Sequence, residues 1–203
     1  MDGLEIRRMS SGEIEAACIV IGLAFAGNPN TLAIVGGHPA KAQRMMRVAV
    51  RAAKLSRKCS HVVVAERAGK IVGVLNAAQW PNCQLGVGEK LRTAPAMILA
   101  MGSALPRAFK MMSLWAKHDP REPHWHLGPI GVHPEFQSRG VGKAMLGSFL
   151  VTVEKQRSPA YLETDVDRNV ALYEKFGFRV IARADINGVN NRFMWREAGA
   201  GSS

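Results

Sequence analysis

The sequence has few cysteines, and the three that it has are scattered. Cys18, Cys59 and Cys83 are odd in number and share no close spacing, which predicts neither a disulfide framework nor a zinc site. Long apolar runs are also missing. Residues 16–26 are interrupted by Gly22 and follow two glutamates, so they are too short for a membrane span and lack the basic flank of a signal peptide. We therefore expect a metal-free protein of the reducing cytoplasm that does not enter a membrane.

Acidic residues are scarce, and one long stretch has none. The chain has 27 lysines and arginines against 16 acids, a net charge of +11, and no acid lies between Glu15 and Glu66. Over that stretch basic residues recur mostly at steps of three and four, which is one stripe along a helix; this basic stripe consists of Lys41, Arg44, Arg47, Arg51, Lys54, Arg57 and Lys58. A solvated helix face, attraction of an anionic cofactor and nucleic-acid binding all fit the stripe. Nucleic acid is the least favoured, because no aromatic residues are interleaved for base stacking.

The length and composition are typical of one globular domain. The chain has 203 residues, of which 47% are apolar and 21% charged, and this is enough apolar material for a single core. We expect that domain to extend over residues 1–197. The last residues, 198–203, are alanines, glycines and serines and are predicted to form a flexible tail.

The order of patterns along the chain predicts an α/β fold. Apolar alternation and turn signals predict strands at 4–9, 61–66, 71–77, 124–132, 161–164, 178–184 and 192–195. Helical periodicity and end signals predict helices over about 11–25, 39–58, 141–156 and 169–176, and helical pieces within 91–115 that are interrupted at Pro95 and Pro106. Gly128-Pro129 predicts an irregularity inside its strand.

The clearest functional signal is the turn at residues 137–142, which reads Q-S-R-G-V-G and opens a helix. A strand, a glycine-containing turn and a helix start present free backbone N–H groups at the positive end of a helix dipole. Gly140 and Gly142 leave room for a phosphate, and Arg139 and Lys143 add positive charge. The spacing matches neither a nucleotide-hydrolase loop nor a dinucleotide fingerprint. The turn therefore predicts a phosphate-containing ligand of another kind.

Two separated motifs in a fixed order resemble those of the GCN5-related N-acetyltransferases, the GNAT superfamily. The first is Q-S-R-G-V-G, and the second is L-E-T at 162–164 followed by N-V-A-L-Y-E-K-F-G-F at 169–178. More narrowly, these motifs together with E-P-H-W-H-L at 122–127 and A-F-A-G-N-P at 24–29 resemble the puromycin N-acetyltransferase-like branch. The resemblance is clear over residues 120–196 and faint over 4–30.

This resemblance implies a fold and a cofactor. The GNAT fold is a mixed, mostly antiparallel sheet flanked by helices and splayed between its fourth and fifth strands, where acetyl-CoA binds as the acyl donor. The pyrophosphate would lie on the backbone amides of Gln137, Ser138, Arg139, Gly140, Val141, Gly142 and Lys143. The pantetheine arm would pair with the strand backbone at Ile130, Gly131 and Val132, like an added strand.

The resemblance also implies catalytic residues. Tyr173 corresponds to the proton donor of the family, and a phenol with a pKa near about 10 suits a thiol leaving group. The base is open among His126, Glu163 and a water relay, since relatives place a base on either of these two strands. Asn169 lies four residues before Tyr173, whereas many relatives have a cofactor-contacting asparagine seven residues before the tyrosine, so its contact with CoA stays open.

The function implied is an acetyl-CoA-dependent N-acetyltransferase that acts on a primary amine of a small molecule, by direct attack in a ternary complex. Two alternatives remain: a protein or peptide amine as the acceptor, and a catalytically inactive module that binds CoA or nucleic acid. Residues 27–60 and 79–118 are expected to line the acceptor side. The chain is expected to be a monomer or a homodimer.

Overall fold

A computed structural model describes residues 3–200 of the chain. It contains seven strands: β1 (Leu4–Arg8), β2 (Ser60–Arg67), β3 (Lys70–Gln79), β4 (Trp125–Val132), β5 (Ala160–Thr164), β6 (Arg179–Ile186) and β7 (Val189–Arg196). The α-helices are α1 (Ile14–Phe25), α2 (Pro29–Val35), α3 (Pro39–Val50), α4 (Val87–Met101), α5 (Leu105–His118), α6 (Val141–Lys155) and α7 (Asp167–Glu174). Of the predicted tail, residues 201–203 lie outside the described part of the chain.

The seven strands form one mixed sheet in the order β1-β2-β3-β4-β5-β7-β6. Every neighbouring pair is antiparallel except β4 and β5, which run parallel. The β2–β3 hairpin and the final β6–β7 pair were both predicted, because each is closed by a short turn between two apolar runs. The α/β class and the mixed, mostly antiparallel sheet are therefore confirmed.

Helices cover both faces of the sheet because alternate strand residues point to opposite sides. On one face, Met145, Leu146 and Phe149 of α6 pack into a buried cluster with strand residues such as Leu127 and Leu162. On the other face, α1 packs against β2 and β3. The approach of α1 to β4 is so close that a Cβ on Gly131 would lie 2.8 Å from Ile21 Cδ1, which only glycine avoids.

Of the two interruptions predicted within 91–115, the structure has one. Pro95 lies inside α4, and the chain breaks instead at Gly102, where the positive φ of 49° ends the helix at little cost for a residue without a Cβ. Pro106 lies in the first turn of α5, where a missing N–H breaks no bond. The predicted interruption at Pro95 is therefore wrong, whereas the helix does break just before Pro106, at residues 102–104.

The helix that was predicted over 39–58 also ends early. Regular α3 stops at Val50, and residues 51–55 form a π-turn, which winds the chain less tightly and so changes which residues face inward. Arg57 is consequently only 8% exposed and binds Glu89 at 2.8 Å between Nε and Oε1. The basic stripe is therefore not one continuous exposed face.

Helix α2 was missed, although its start signals are in the sequence. The Asn28 side chain accepts a hydrogen bond from the backbone N–H of Thr31 at 3.1 Å, and Pro29 occupies the first turn. Asparagine before proline is a strong N-cap pattern. The patterns in the sequence predicted no helix between residues 25 and 39.

Within the described residues, no single helix is long and apolar enough to cross a membrane. One pair passes that test only in combination, residues 11–25 with 29–35, and the two helices are bent by 87°.

A buried pair of amides joins α2 to the far end of the sheet. Asn191 is fully buried on β7, and its Oδ1 accepts from Asn30 Nδ2 at 2.7 Å and from Trp115 Nε1 at 3.1 Å. Its own Nδ2 donates to the Val189 carbonyl at 2.9 Å and to Asn30 Oδ1 at 3.2 Å. All polar atoms of this side chain are thus paired.

We expect Asn191→Leu to lower the free energy of unfolding by about 3 kcal/mol, because it leaves buried donors of two other residues without acceptors. The matched control is Asn190→Leu, at the neighbouring exposed position, which should change stability by less than about 0.5 kcal/mol. Urea unfolding measures both. Equal losses in the two variants would contradict a role for the buried pairing.

Candidate active site

The sheet opens between β4 and β5. The two strands pair at only three positions, Trp125 with Ala160, His126 with Tyr161, and Leu127 with Leu162. Beyond this point β4 continues to Val132 paired with β3 alone, and β5 continues to Thr164 paired with β7 alone. The diverging strands therefore leave a notch, bounded by residues 128–132 on one side and 163–164 on the other.

A bulge bends β4 where the notch begins. Leu75 of β3 pairs with Ile130, whereas Ala77, two residues later, pairs with Leu127, so β4 carries one extra residue there. The side-chain amide of Asn76 donates to the Gly128 carbonyl at 2.8 Å and holds the bulge. The predicted irregularity at Gly128-Pro129 is confirmed. The backbone of Ile130, Gly131 and Val132 lies along the notch. On one side it pairs with β3, and on the side towards β5 it has no strand partner.

The turn that follows β4 ends at the start of α6. Gly140 is the N-cap of α6, with φ of 81°, and no side chain caps the helix. The first N–H that bonds back to the turn is that of Ala144, which donates to the Gly140 carbonyl at 2.9 Å. The amides of Val141, Gly142 and Lys143 precede it and have no intrahelical partner. Ser138, Arg139 and Gly140 are exposed, so the turn is accessible to an anion.

Gln137 joins this turn to the end of β4. Its side-chain amide donates to the Val132 carbonyl at 3.1 Å. The Arg139 guanidinium lies over the Phe136 ring, 5.7 Å from its centroid, and Lys143 is exposed on the first turn of α6. Both positive side chains are therefore at the rim of the turn.

Tyr173 lies at the inner end of the notch. It is 8% exposed and belongs to the same buried cluster as Leu127 and Leu162, the last paired residues of β4 and β5. Burial raises the pKa of its phenol, and the nearby Asp165 carboxylate raises it further. The phenol therefore keeps its proton at neutral pH. Asn169, one helical turn earlier on α7, is half-buried.

The two candidate bases are hydrogen-bonded to each other. His126 Nε2 lies 3.0 Å from Glu163 Oε2, and both side chains are less than 10% exposed. The other carboxylate oxygen, Glu163 Oε1, is buried without a hydrogen-bond partner. Since neighbouring strand residues alternate in direction, His126 and Glu163 lie on the opposite face of the sheet from Leu127, Leu162 and Tyr173.

Three more side chains surround His126, and sequence analysis did not predict them. Asp119 Oδ1 lies 3.3 Å from His126 Nδ1 and 3.2 Å from His124 Nε2, and Cys83 Sγ lies 3.6 Å from Asp119 Oδ2. Burial lowers the pKa of His124, but its contacts with Asp119 and Cys83 outweigh burial and raise the pKa to about 9. For His126 burial again opposes the charge, and Glu163 with Asp119 outweighs it and raises the pKa. The cluster thus favours positive charge at its centre.

Lys54 completes these surroundings. The π-turn after α3 removes it from the exposed part of the basic stripe, and its side chain is half-buried. Burial lowers the pKa of Lys54, while the Glu163 carboxylate acts in the opposite direction. The spacing within the stripe did not indicate this placement, because a regular helix would have kept Lys54 on the same exposed face as the other basic residues.

The motif A-F-A-G-N-P also lies beside the notch. Asn28 Nδ2 donates to Asp165 Oδ1 at 2.8 Å, and the Asn30 backbone N–H donates to Asp165 Oδ2 at 2.7 Å. Asp165 directly follows the L-E-T strand. Two motifs that are more than 130 positions apart are therefore held together at the end of β5.

A model of the acetyltransferase (GNAT) family matches residues 35–178 of this chain. That range contains β2–β5, the turn at 137–140, α6 and α7.

Solved structures with the same fold cover nearly the whole chain. One is a Corynebacterium glutamicum protein described as histone acetyltransferase HPA2 and related acetyltransferase, with 21% identity, 97% of each chain covered and a TM-score of 0.71. Another is the polyamine N-acetyltransferase of Drosophila melanogaster, which forms N-acetylagmatine, with 14% identity, 96% and 99% covered, and a TM-score of 0.67. A third is a GNAT family acetyltransferase from Brucella melitensis in complex with acetyl-CoA, with 16% identity, 97% and 88% covered, and a TM-score of 0.54.

Proposed function

The chain belongs to the GNAT family of acetyltransferases, and on that basis we propose that it transfers the acetyl group of acetyl-CoA to a primary amine of a small molecule. The observation that carries this proposal is the notch, since β4 and β5 separate next to a helix start whose first amides are unpaired. Amine and thioester would react directly in a ternary complex. We also propose that the reaction takes place in the cytoplasm.

GNAT enzymes use acetyl-CoA, and the notch suggests how this chain holds it. The pyrophosphate would accept hydrogen bonds from the amides of residues 137–143, with Arg139 and Lys143 at the rim. The pantetheine arm would bond to the unpaired edge of β4 at residues 130–132, as an added strand does. Few side chains are needed for either contact. Asn169 would add a further contact, since it lies on the same face of α7 as Tyr173.

In the proposed reaction the amine nitrogen attacks the thioester carbonyl, the C–S bond breaks, and the sulfur takes a proton from Tyr173. Before the attack, the alkylammonium gives one proton to Glu163 Oε1, the buried carboxylate oxygen without a partner, and as the amide forms the second proton of the nitrogen passes to the Tyr173 phenolate. We assign the base to Glu163 rather than His126 because both ring nitrogens of His126 already face carboxylate oxygens, at 3.0 and 3.3 Å. A backbone N–H near Gly131 or Val132 would stabilise the oxyanion.

A small amine is the acceptor that this site favours. Glu163 puts a buried carboxylate oxygen without a hydrogen-bond partner on the face of the sheet opposite Tyr173, and an alkylammonium would be attracted there. Two further considerations agree: the resemblance to the puromycin N-acetyltransferase-like branch, and a structural neighbour that forms N-acetylagmatine. Nucleic acid is not part of the proposal, because the basic stripe is divided between exposed and buried positions.

The test is a panel of small amines and of peptides with free amino termini or lysines, each incubated with acetyl-CoA while thiol release is measured. Turnover of one or more small amines, with little on peptides, is the expected result. A preference for peptides would overturn the choice of acceptor. Calorimetry that detects no CoA binding at millimolar concentration would overturn the assignment of the notch.

Charge reversal at Lys143 separates cofactor binding from stability. Lys143→Glu puts an acid in the first turn of α6, which favours the helix dipole, so the thermal midpoint should hold or rise. Affinity for CoA should fall about 10-fold, because the new charge repels the pyrophosphate. Lys155→Glu, at the other end of the same helix, should leave CoA affinity unchanged. Calorimetric titration checks both, and equal affinities in the two variants would contradict the proposed pyrophosphate site.

A further inference from the structure

Four potential metal ligands meet on the face of the sheet that carries His126, opposite Leu127 and Tyr173. Cys83 comes from the segment after β3, Asp119 directly follows α5, His124 directly precedes β4, and His126 lies within β4. One ligand atom from each residue lies within 4.8 Å of all the others. Cys83 is 4% exposed, and the side chains of Asp119, His124 and His126 are 6%, 0% and 9% exposed. Water is thus largely excluded from the group.

The atoms that face the centre of this group have no hydrogen-bond partner. Asp119 Oδ1, His124 Nε2 and His126 Nδ1 are all buried and make no directed hydrogen bond, although Asp119 Oδ1 lies only 3.2 Å from the first nitrogen and 3.3 Å from the second. Their proximity without a properly directed hydrogen bond leaves buried polar atoms uncompensated, which proteins rarely tolerate. A cation at the centre would satisfy all three at once.

The outward-facing atoms of the same side chains are, by contrast, bonded. His124 Nδ1 lies 2.7 Å from the Glu122 carbonyl, His126 Nε2 lies 3.0 Å from Glu163 Oε2, and Asp119 Oδ2 accepts from Gln84 Nε2. Histidines that bind metals through one nitrogen characteristically donate the other N–H to a carboxylate or carbonyl, which fixes the ring. The hydrogen bonds around this group follow that pattern.

We propose that Cys83, Asp119, His124 and His126 bind one zinc ion. Zinc bonds to nitrogen and oxygen are about 2.0–2.1 Å long, and two of them at the tetrahedral angle put their donor atoms about 3.3 Å apart. The observed separations of 3.2 and 3.3 Å match this distance between two donor atoms of a tetrahedral site. One thiolate, two imidazoles and one carboxylate form a borderline ligand set that suits zinc, and the two negative charges balance Zn²⁺. The Cys83 proton would pass to solvent on binding.

Four protein ligands complete the coordination, so the ion would hold structure rather than bind substrate. It would join the segment after β3 and the end of α5 to β4, and these parts border the expected acceptor side. It would also fix His126 so that Nε2–H points to Glu163 Oε2, which makes His126 a positioning residue for Glu163. This departs from the sequence-based expectation of a metal-free protein. The zinc site itself does not depend on the proposed reaction.

The test measures metal directly in the full chain, expressed without a histidine tag. We expect about one zinc per chain by elemental analysis, and a cobalt-substituted protein with a thiolate charge-transfer band. Re-adding zinc to chelator-treated protein should raise the thermal midpoint by about 5–10 °C at 100-fold excess over Kd. Cys83→Ser and His124→Gln should each weaken zinc affinity by more than the 10- to 100-fold that loss of an outer partner costs.

Cys59→Ser is the matched control, because Cys59 is an exposed cysteine outside the group, and it should keep the zinc. Zinc well below one equivalent in the wild type, with no shift of the midpoint on addition, overturns the proposal. So does zinc that persists in both Cys83→Ser and His124→Gln. If those variants fail to fold, the wild-type zinc content, the cobalt spectrum and the midpoint shift still decide. None of these readouts involves acetyl transfer, so they are independent of the proposed function.

Discussion

Tyr173→Phe should lower kcat by about 100-fold or more, while the Kd for CoA stays within about twofold of the wild-type value. The substitution removes only the hydroxyl group, and the ring keeps its place in the cluster with Leu127, Leu162 and Phe178. Without that proton donor the sulfur would leave as a free thiolate. Steady-state kinetics with saturating amine and calorimetric titration with CoA measure the two quantities.

The matched control for this loss is Tyr161→Phe, at the only other tyrosine of the chain. Its hydroxyl is buried near the Glu163 carboxylate on the opposite face of the sheet, away from the sulfur, so its removal should change kcat far less than loss of the proton donor. If Tyr173→Phe reduced CoA binding as strongly as turnover, the hydroxyl would act in binding, and the assigned role would be wrong.

Glu163→Gln should reduce kcat by about 100-fold at neutral pH, and the loss should shrink as the pH rises. The reason is that an alkylamine has a pKa near about 10, so alkaline buffer supplies the neutral amine that the carboxylate would otherwise produce. The amide keeps the shape of the side chain and can still bond to the His126 ring. Rate profiles of wild type and variant against pH, with the same amine, test this.

The control for the charge change is Glu174→Gln, at an exposed position next to Tyr173, which should leave the profile unchanged. A Glu163→Gln defect that is constant from neutral to alkaline pH would assign Glu163 to amine binding or to structure. A variant with wild-type kcat would leave water as the base.

Sequence alone predicted the parts of the fold whose signals are local. The β2–β3 hairpin is closed by Ala68-Gly69, and α6 begins right after the glycine-containing turn, so a few adjacent residues specify each. The same reasoning failed at α4, where Gly102 and not Pro95 ends the helix. A proline can be accommodated where the helix is partly exposed, and only tertiary context shows where the chain must turn.

The candidate site could be predicted only in part, because its members lie on different segments. The turn at 137–142 is contiguous and therefore visible in the sequence, whereas Cys83 and Asp119 are 36 positions apart and meet only once β3, α5 and β4 are in place. His126 and Glu163 were predicted as alternative bases, because nothing in the sequence shows that the two side chains share a hydrogen bond. The pair H-x-H at 124–126 was the one available sign of a metal site.

The short parallel seam between β4 and β5 divides the sheet into a four-stranded and a three-stranded blade. These two parts of the sheet share only three residue pairs, and the bond between His126 and Glu163 crosses the junction beside the last of them. A small rotation about this seam would change the width of the opening while leaving the ladders within each blade intact. The shortest strand pairing of the sheet is thus located where the proposed cofactor, a long and flexible molecule, would enter and leave at every turnover.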